Sequence, residues 1–117
     1  MGPKRDWGDA RAKVEGEGQC RVCGSSRSVE AAHILGRKHD EPKVGADGRP
    51  LKELYVDPIR VIPLCGPFPE GCHGKDHKHE LDLLPYLTAG EQAQAVLDAG
   101  SMGLALKRIS PMLEMVA

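Results

Sequence analysis

At 117 residues the chain has the length of one domain. Its 16 Lys and Arg against 17 Asp and Glu leave a net charge of -1, which excludes a broadly basic coat that grips nucleic acid by bulk charge. Aromatic residues are 3% of the chain, too few for stacking platforms along a single strand. No apolar run approaches the roughly 18 residues of a membrane span. The opening MGPKRDWGDA lacks the apolar stretch of a signal peptide, so a cytoplasmic location without a membrane partner is expected. Residues 1–60 carry 12 basic and 10 acidic side chains, the remainder 4 and 7, so any nucleic-acid patch belongs to the first half.

Trp7, Ala10 and Val14 recur at helical spacing, Asp9 and Lys13 sit four apart, and Gly16 follows. These predict a helix over about 6–16. Residues 20–27 read as a Cys- and Gly-containing turn. Val29 to Leu35 is a strand closed by Gly36. Residues 36–53, with Pro42, Gly45, Gly48 and Pro50, read as one long polar loop. Ile59 to Leu64 is a second strand, with Pro63 placing its end at an edge or bulge. A helical pattern runs from Cys72 to about Leu84, limited by Pro85. Thr88 and Glu91 form a capping-box signature, with Ala93, Val96 and Leu97 on one face up to Gly100. A last helix spans about 102–109. The fold class expected is α+β, a single domain over 1–117 with a core at about 18–87 and C-terminal helices at about 89–109.

Cys20 and Cys23 share the turn CRVCG, and Cys65 and Cys72 flank GPFPEG. Two separated Cys pairs are the usual way to close a tetrahedral structural zinc site. A disulfide or free thiols are the alternative, though unusual in the cytosol. Zinc would also compensate for a small core.

His73 and His77 are one helical turn apart, so both imidazoles can serve one divalent metal. Asp76 flanks them and could orient a ligand. His79 is expected to point elsewhere. His33 ends the strand VEAAH, either as a buried core histidine or as a base.

Taken together, CRVCG, AAHI, VIPLC and CHGKDHKHELDLLPYL resemble the HNH nucleases with a ββα-metal active site, in the form with a Cys-pair zinc knuckle found in small tailed-bacteriophage proteins. The resemblance covers about residues 5–100. It implies His33 as general base and His73 and His77 as ligands of a catalytic Mg2+, Mn2+, Ni2+ or Zn2+, beside a structural Zn2+ on the four cysteines. The implied activity is endonucleolytic hydrolysis of DNA, leaving 5′-phosphate and 3′-hydroxyl ends. A terminase partner during genome packaging is implied by the same resemblance.

Two departures stand out. Ala32 occupies the place where many members carry a further ligand, and the motif's middle Asn is absent, its place falling on Arg60 with Asp57 nearby. Water, a substrate phosphate oxygen, His39 or Asp40 are the alternatives for the missing ligand. Arg37 and Lys38 are the first choice for holding DNA, then Lys75, Lys78 and Arg60. A monomer is expected. The competing readings are a catalytically silent zinc module that binds DNA or protein, and a zinc-stapled adaptor without DNA contact.

Overall fold

In the computed structural model, which describes residues 4–112, a short strand β1 (Lys4–Asp6) leads into helix α1 (Gly8–Glu17). Ala10 and Val14 bury one face of α1, and the helix ends at Gly18, whose φ of 69° is left-handed. Gly16 lies inside the helix rather than ending it. The expected Asp9–Lys13 pair does not form, because both side chains have better partners elsewhere. Asp9 accepts from the Tyr55 hydroxyl at 2.6 Å. Lys13 donates to the carbonyls of Pro58 and Val61 and to Glu91, all within 2.8 Å.

The Cys turn follows, then strand β2 (Val29–His33). The long loop expected over 36–53 is in fact a 3-10 turn (Arg37–His39) and a hairpin of β3 (Glu41–Val44) and β4 (Pro50–Tyr55). Glu41 pairs with Tyr55 and Val44 with Pro50, and β1 adds to β4 in parallel, Lys4 opposite Glu53. This three-stranded sheet is largely exposed, so its strands lack the apolar alternation that marks a strand in sequence.

A 3-10 turn at Pro58–Arg60, capped by the Asp57 carboxylate at 3.0 Å from the Ile59 N–H, delivers strand β5 (Val61–Cys65). β5 pairs antiparallel with β2, His33 opposite Val61 and Val29 opposite Cys65. Side chains alternate across this ribbon. Ala32 joins Ile34, Ile62, Leu64, Leu83 and Ile109 in the main core, while Ala31 and His33 face the other way.

Helix α2 spans only Gly71–His77, not the expected 72–84. His79 adopts a left-handed φ of 59°, and the chain then leaves the helix without regular structure, so that Leu83 enters the core and its N–H reaches the Ile109 carbonyl at 2.6 Å. Core burial of Leu83 overrides the local helical pattern. A 3-10 turn at Leu84–Tyr86 precedes α3 (Ala89–Ala99) and α4 (Met102–Ile109). The capping box of Thr88 and Glu91 is formed, and Gly100 ends α3. The buried positions of α3 are Glu91 and Ala95, while Leu97 stays 75% exposed and Ala93 is exposed too.

The described residues thus form a small α+β domain of four α-helices and two small sheets. No helix among them is long and apolar enough to cross a membrane.

Candidate functional site

The cysteine quartet is assembled from three segments. Cys20 and Cys23 sit on a turn closed by Gly24 N–H to the Cys20 carbonyl at 2.9 Å. Cys65 ends β5, and Cys72 lies in the first turn of α2. Gly71, at φ 66°, makes the connection, and a β-carbon there would strike the Cys65 carbonyl. The four Sγ atoms lie within 4.8 Å of one another and no disulfide joins them. Burial pushes the Cys20 thiol up, but hydrogen bonds from the backbone N–H groups of Cys23, Cys65 and Val22 outweigh it and bring it to about 7. Cys72 is pushed the opposite way, first by burial and then by its sulfur neighbours. Four thiolates this close repel one another unless a cation neutralises them. The donor set fits a metal ion such as zinc.

Next to it lies a cleft of about 450 Å³ lined by His33, His73, His77, His79, Arg37, Arg108 and the rings of Trp7 and Phe68. Four of the chain's five histidines therefore line one cavity. His73 and His77 stand one turn apart on α2, with ring centroids 5.3 Å apart. Phe68 packs on both, at 5.1 and 4.7 Å. His73 Nδ1 lies 2.9 Å from Glu30 Oε1, which also accepts the Phe68 N–H at 3.0 Å. A carboxylate only accepts, so His73 donates from Nδ1 to Glu30, which leaves Nε2 as the nitrogen free to meet a metal. Burial, then the charge of His73, depresses His77 below the ordinary imidazole value. That favours the neutral imidazole, the form able to bind a metal.

His33, at the end of β2, has Nε2 at 3.0 and 3.1 Å from the two oxygens of Asp40, and its ring meets the edge of Trp7 at 5.1 Å. Burial lowers its pKa from the usual 6.5, the Asp40 charge opposing and Arg37 and Arg5 adding to the effect. His33 is neutral near pH 7.

Other expected site residues are placed differently. The buried Asp76 carboxylate is held by both guanidinium nitrogens of Arg108, at 2.9 and 3.1 Å, so it ties α4 to α2 and makes no hydrogen bond to an imidazole. His79 was expected off the ligand face, yet the turn after α2 brings it to the cleft wall. His39 lies in a separate small cavity with Arg60 and Asp98, where its Nε2 has no partner. Asp40 serves His33, and Asp57 caps its 3-10 turn. Beyond the cysteine quartet, no three His, Cys, Asp or Glu among the described residues converge at chelating distance, so no third donor of these types joins His73 and His77. Ala32 is 1% exposed in the core, and its neighbour Ala31 faces the cleft instead. Arg60 is engaged by Asp98 at 2.8 and 3.1 Å and by Glu41 at 3.1 Å. Arg37, Lys38, Lys75 and Lys78 are exposed, and Arg37 lines the cleft.

The places of Glu30, Trp7 and Arg108 beside the histidines are not legible in the sequence. Their partners lie 43, 26 and 32 residues away, and no local pattern encodes such pairings. No protein-family model, curated protein or solved structure matches the chain.

Proposed function

We propose that the protein is a metal-dependent DNA endonuclease of the HNH type, working in the cleft between β2 and α2. The observation that carries this reading is the convergence of His33 with His73 and His77 on one open cleft beside the cysteine quartet. The order of parts is also that of the motif: Cys turn, strand ending in His33, strand ending in Cys65, helix bearing the two histidines.

A divalent ion held by His73 and His77 would neutralise the phosphate and the departing alkoxide. His33, neutral near pH 7, accepts a proton from water as the water oxygen bonds to phosphorus and the bond to the 3′ oxygen breaks. The 3′ oxygen takes a proton from solvent. Arg37 at the cleft wall, with the adjoining Lys38 and with Lys75 and Lys78 on and just after α2, all exposed, supplies the charge for the DNA backbone. So few cations predict weak, salt-sensitive binding with little sequence preference. The structural ion on the quartet is zinc in this reading, and by resemblance the setting is phage genome packaging with a terminase.

Plasmid nicking across Mg2+, Mn2+, Ni2+ and Zn2+ tests the reading. Wild type should nick with at least one metal, and His33→Ala should lose about 10²- to 10⁴-fold while keeping its fold. Wild type that nicks no faster than His33→Ala would defeat it. The missing third ligand favours a second reading, a silent zinc module on the same fold. DNA retardation without cleavage would support that alternative.

A further inference from the structure

We infer that Asp40, backed by Arg5, is the positioning residue that fixes which nitrogen of His33 serves the cleft. The inference rests on the nuclease reading for its consequence, though not for its geometry. Asp40 closes the 3-10 turn that follows β2, and its side chain is fully buried. Both of its oxygens lie within 3.1 Å of His33 Nε2. Arg5, on β1, donates from Nε to Oδ2 at 2.8 Å. β1 is held in register on β4, so a separate sheet braces the carboxylate from behind. Asp40 is used by these two partners and is not directed at His73 or His77.

The chemistry follows from what each group can do. A carboxylate has no proton to give, so the imidazole hydrogen must sit on Nε2. Nδ1 then carries the lone pair and is the nitrogen that accepts a proton from water. His73 is tied the other way round, through Nδ1 to Glu30, and keeps Nε2 for a ligand's role. Two carboxylates thus sort two histidines of one cleft into opposite tautomers. The other charged or titratable groups about His33 are Arg37 on the 3-10 turn, Arg5 on β1, and, lining the same cleft, His73 and His77 on α2, His79 beyond it and Arg108 on α4. None of these is hydrogen-bonded to His33; Asp40 is the side chain that holds its Nε2.

Asp40→Asn keeps the size and removes the charge. Arg5 Nε–H claims the amide oxygen, so the NH2 faces Nε2 as a donor, drives the imidazole proton to Nδ1 and occupies the wrong nitrogen. Nitrogen-15 NMR of the histidine rings, with His33→Gln to assign the signal, reads this with no DNA or catalytic metal present. Wild type should show His33 as the Nε2–H form at pH 8, and Asp40→Asn should show the Nδ1–H form. In the nicking assay Asp40→Asn should lose about 10²-fold or more, with the acid limb of the pH profile displaced. An Nδ1–H form in wild type, or nicking by Asp40→Asn at the wild-type rate, overturns the inference. Should wild type nick nothing while the tautomers behave as described, the positioning role stands and the nuclease reading falls. Should Asp40→Asn not fold, the wild-type tautomer alone decides.

Discussion

Glu30 uses one oxygen for both His73 and the Phe68 backbone, so a single carboxylate orients the His73 ring and seats the loop that packs on it. Orienting partners of this kind typically contribute about 10- to 100-fold in metal affinity. Glu30→Ala should therefore weaken Ni2+ binding to the His73/His77 pair by that factor, read by calorimetry on zinc-loaded protein. Unchanged affinity would remove Glu30 from the site. The histidines and cysteines themselves were readable from sequence because their chemistry lives in residue type and short spacing. Their helpers were not. Glu30 and Asp40 are ordinary surface-type residues until the chain folds, and Asp76 looked like a helper but is occupied by Arg108. The same blindness affected Ala32. Only the pairing register with Ile62 tells that a ligand placed there would enter the core. Ala31→Asp, not Ala32→Asp, is accordingly the substitution to try in supplying a third ligand. It should raise metal affinity at a smaller cost in stability, since Ala31 is half-buried at the cleft wall, whereas Ala32→Asp should destabilise by several kcal/mol through burial of a charge.

An element forms where its residues predict when local signals mark both of its ends, as in α3. The Thr88/Glu91 box starts α3, and Gly100 stops it. The β3–β4 hairpin escaped notice because neither of its faces is buried enough to impose an apolar pattern. Helix α3 also carries the densest ion cluster. Glu91, buried, receives Lys13 of α1 at 2.6 Å, the guanidinium of Arg21 from the Cys turn, and its own Thr88 N–H at 2.8 Å. Burial pushes its carboxyl up, but the Arg21, Lys13 and Thr88 hydrogen bonds prevail and hold it at about 2, against an ordinary 4.5. The folded state thus prefers the charged form. The stabilisation is complete above pH 4.5 and drains away as pH falls toward 2. Glu91→Gln should cost about 3–5 kcal/mol at pH 7, since it leaves two cations without their buried counter-charge. It should also flatten the acid limb of urea-unfolding stability between pH 4.5 and 2. Leu97→Ser, on the exposed face of the same helix, should change stability by less than about 0.5 kcal/mol. A full acid limb in Glu91→Gln would show that the cluster does not hold the three segments together.

For the molecule as a whole, the quartet is where the Cys turn, the end of β5 and the start of α2 are joined. Where a quartet of this kind holds zinc, the ion contributes on the order of 10 kcal/mol or more to folding. That matches or exceeds the roughly 5–15 kcal/mol by which an entire domain is stable. Zinc removal by a strong chelator should therefore abolish cooperative thermal unfolding, and Cys23→Ser should do the same. The purified protein should hold one equivalent of zinc after mild chelation. A melting transition that survives complete metal removal would assign the fold to its core alone. α2 carries both Cys72 and the two cleft histidines, so loss of the first ion should also abolish binding at the second site.

Trp7 is the chain's single tryptophan, and its ring lies against His33 and no other histidine. An imidazolium quenches indole emission far more strongly than a neutral imidazole does. Fluorescence should be bright at pH 8 and should dim on acidification, with a midpoint below 6.5 set by the burial of His33. His33→Gln should erase that step. A step that persists would belong to some other group. The protein would then carry an optical gauge of the charge on one chosen imidazole, legible in a cuvette before any substrate is known.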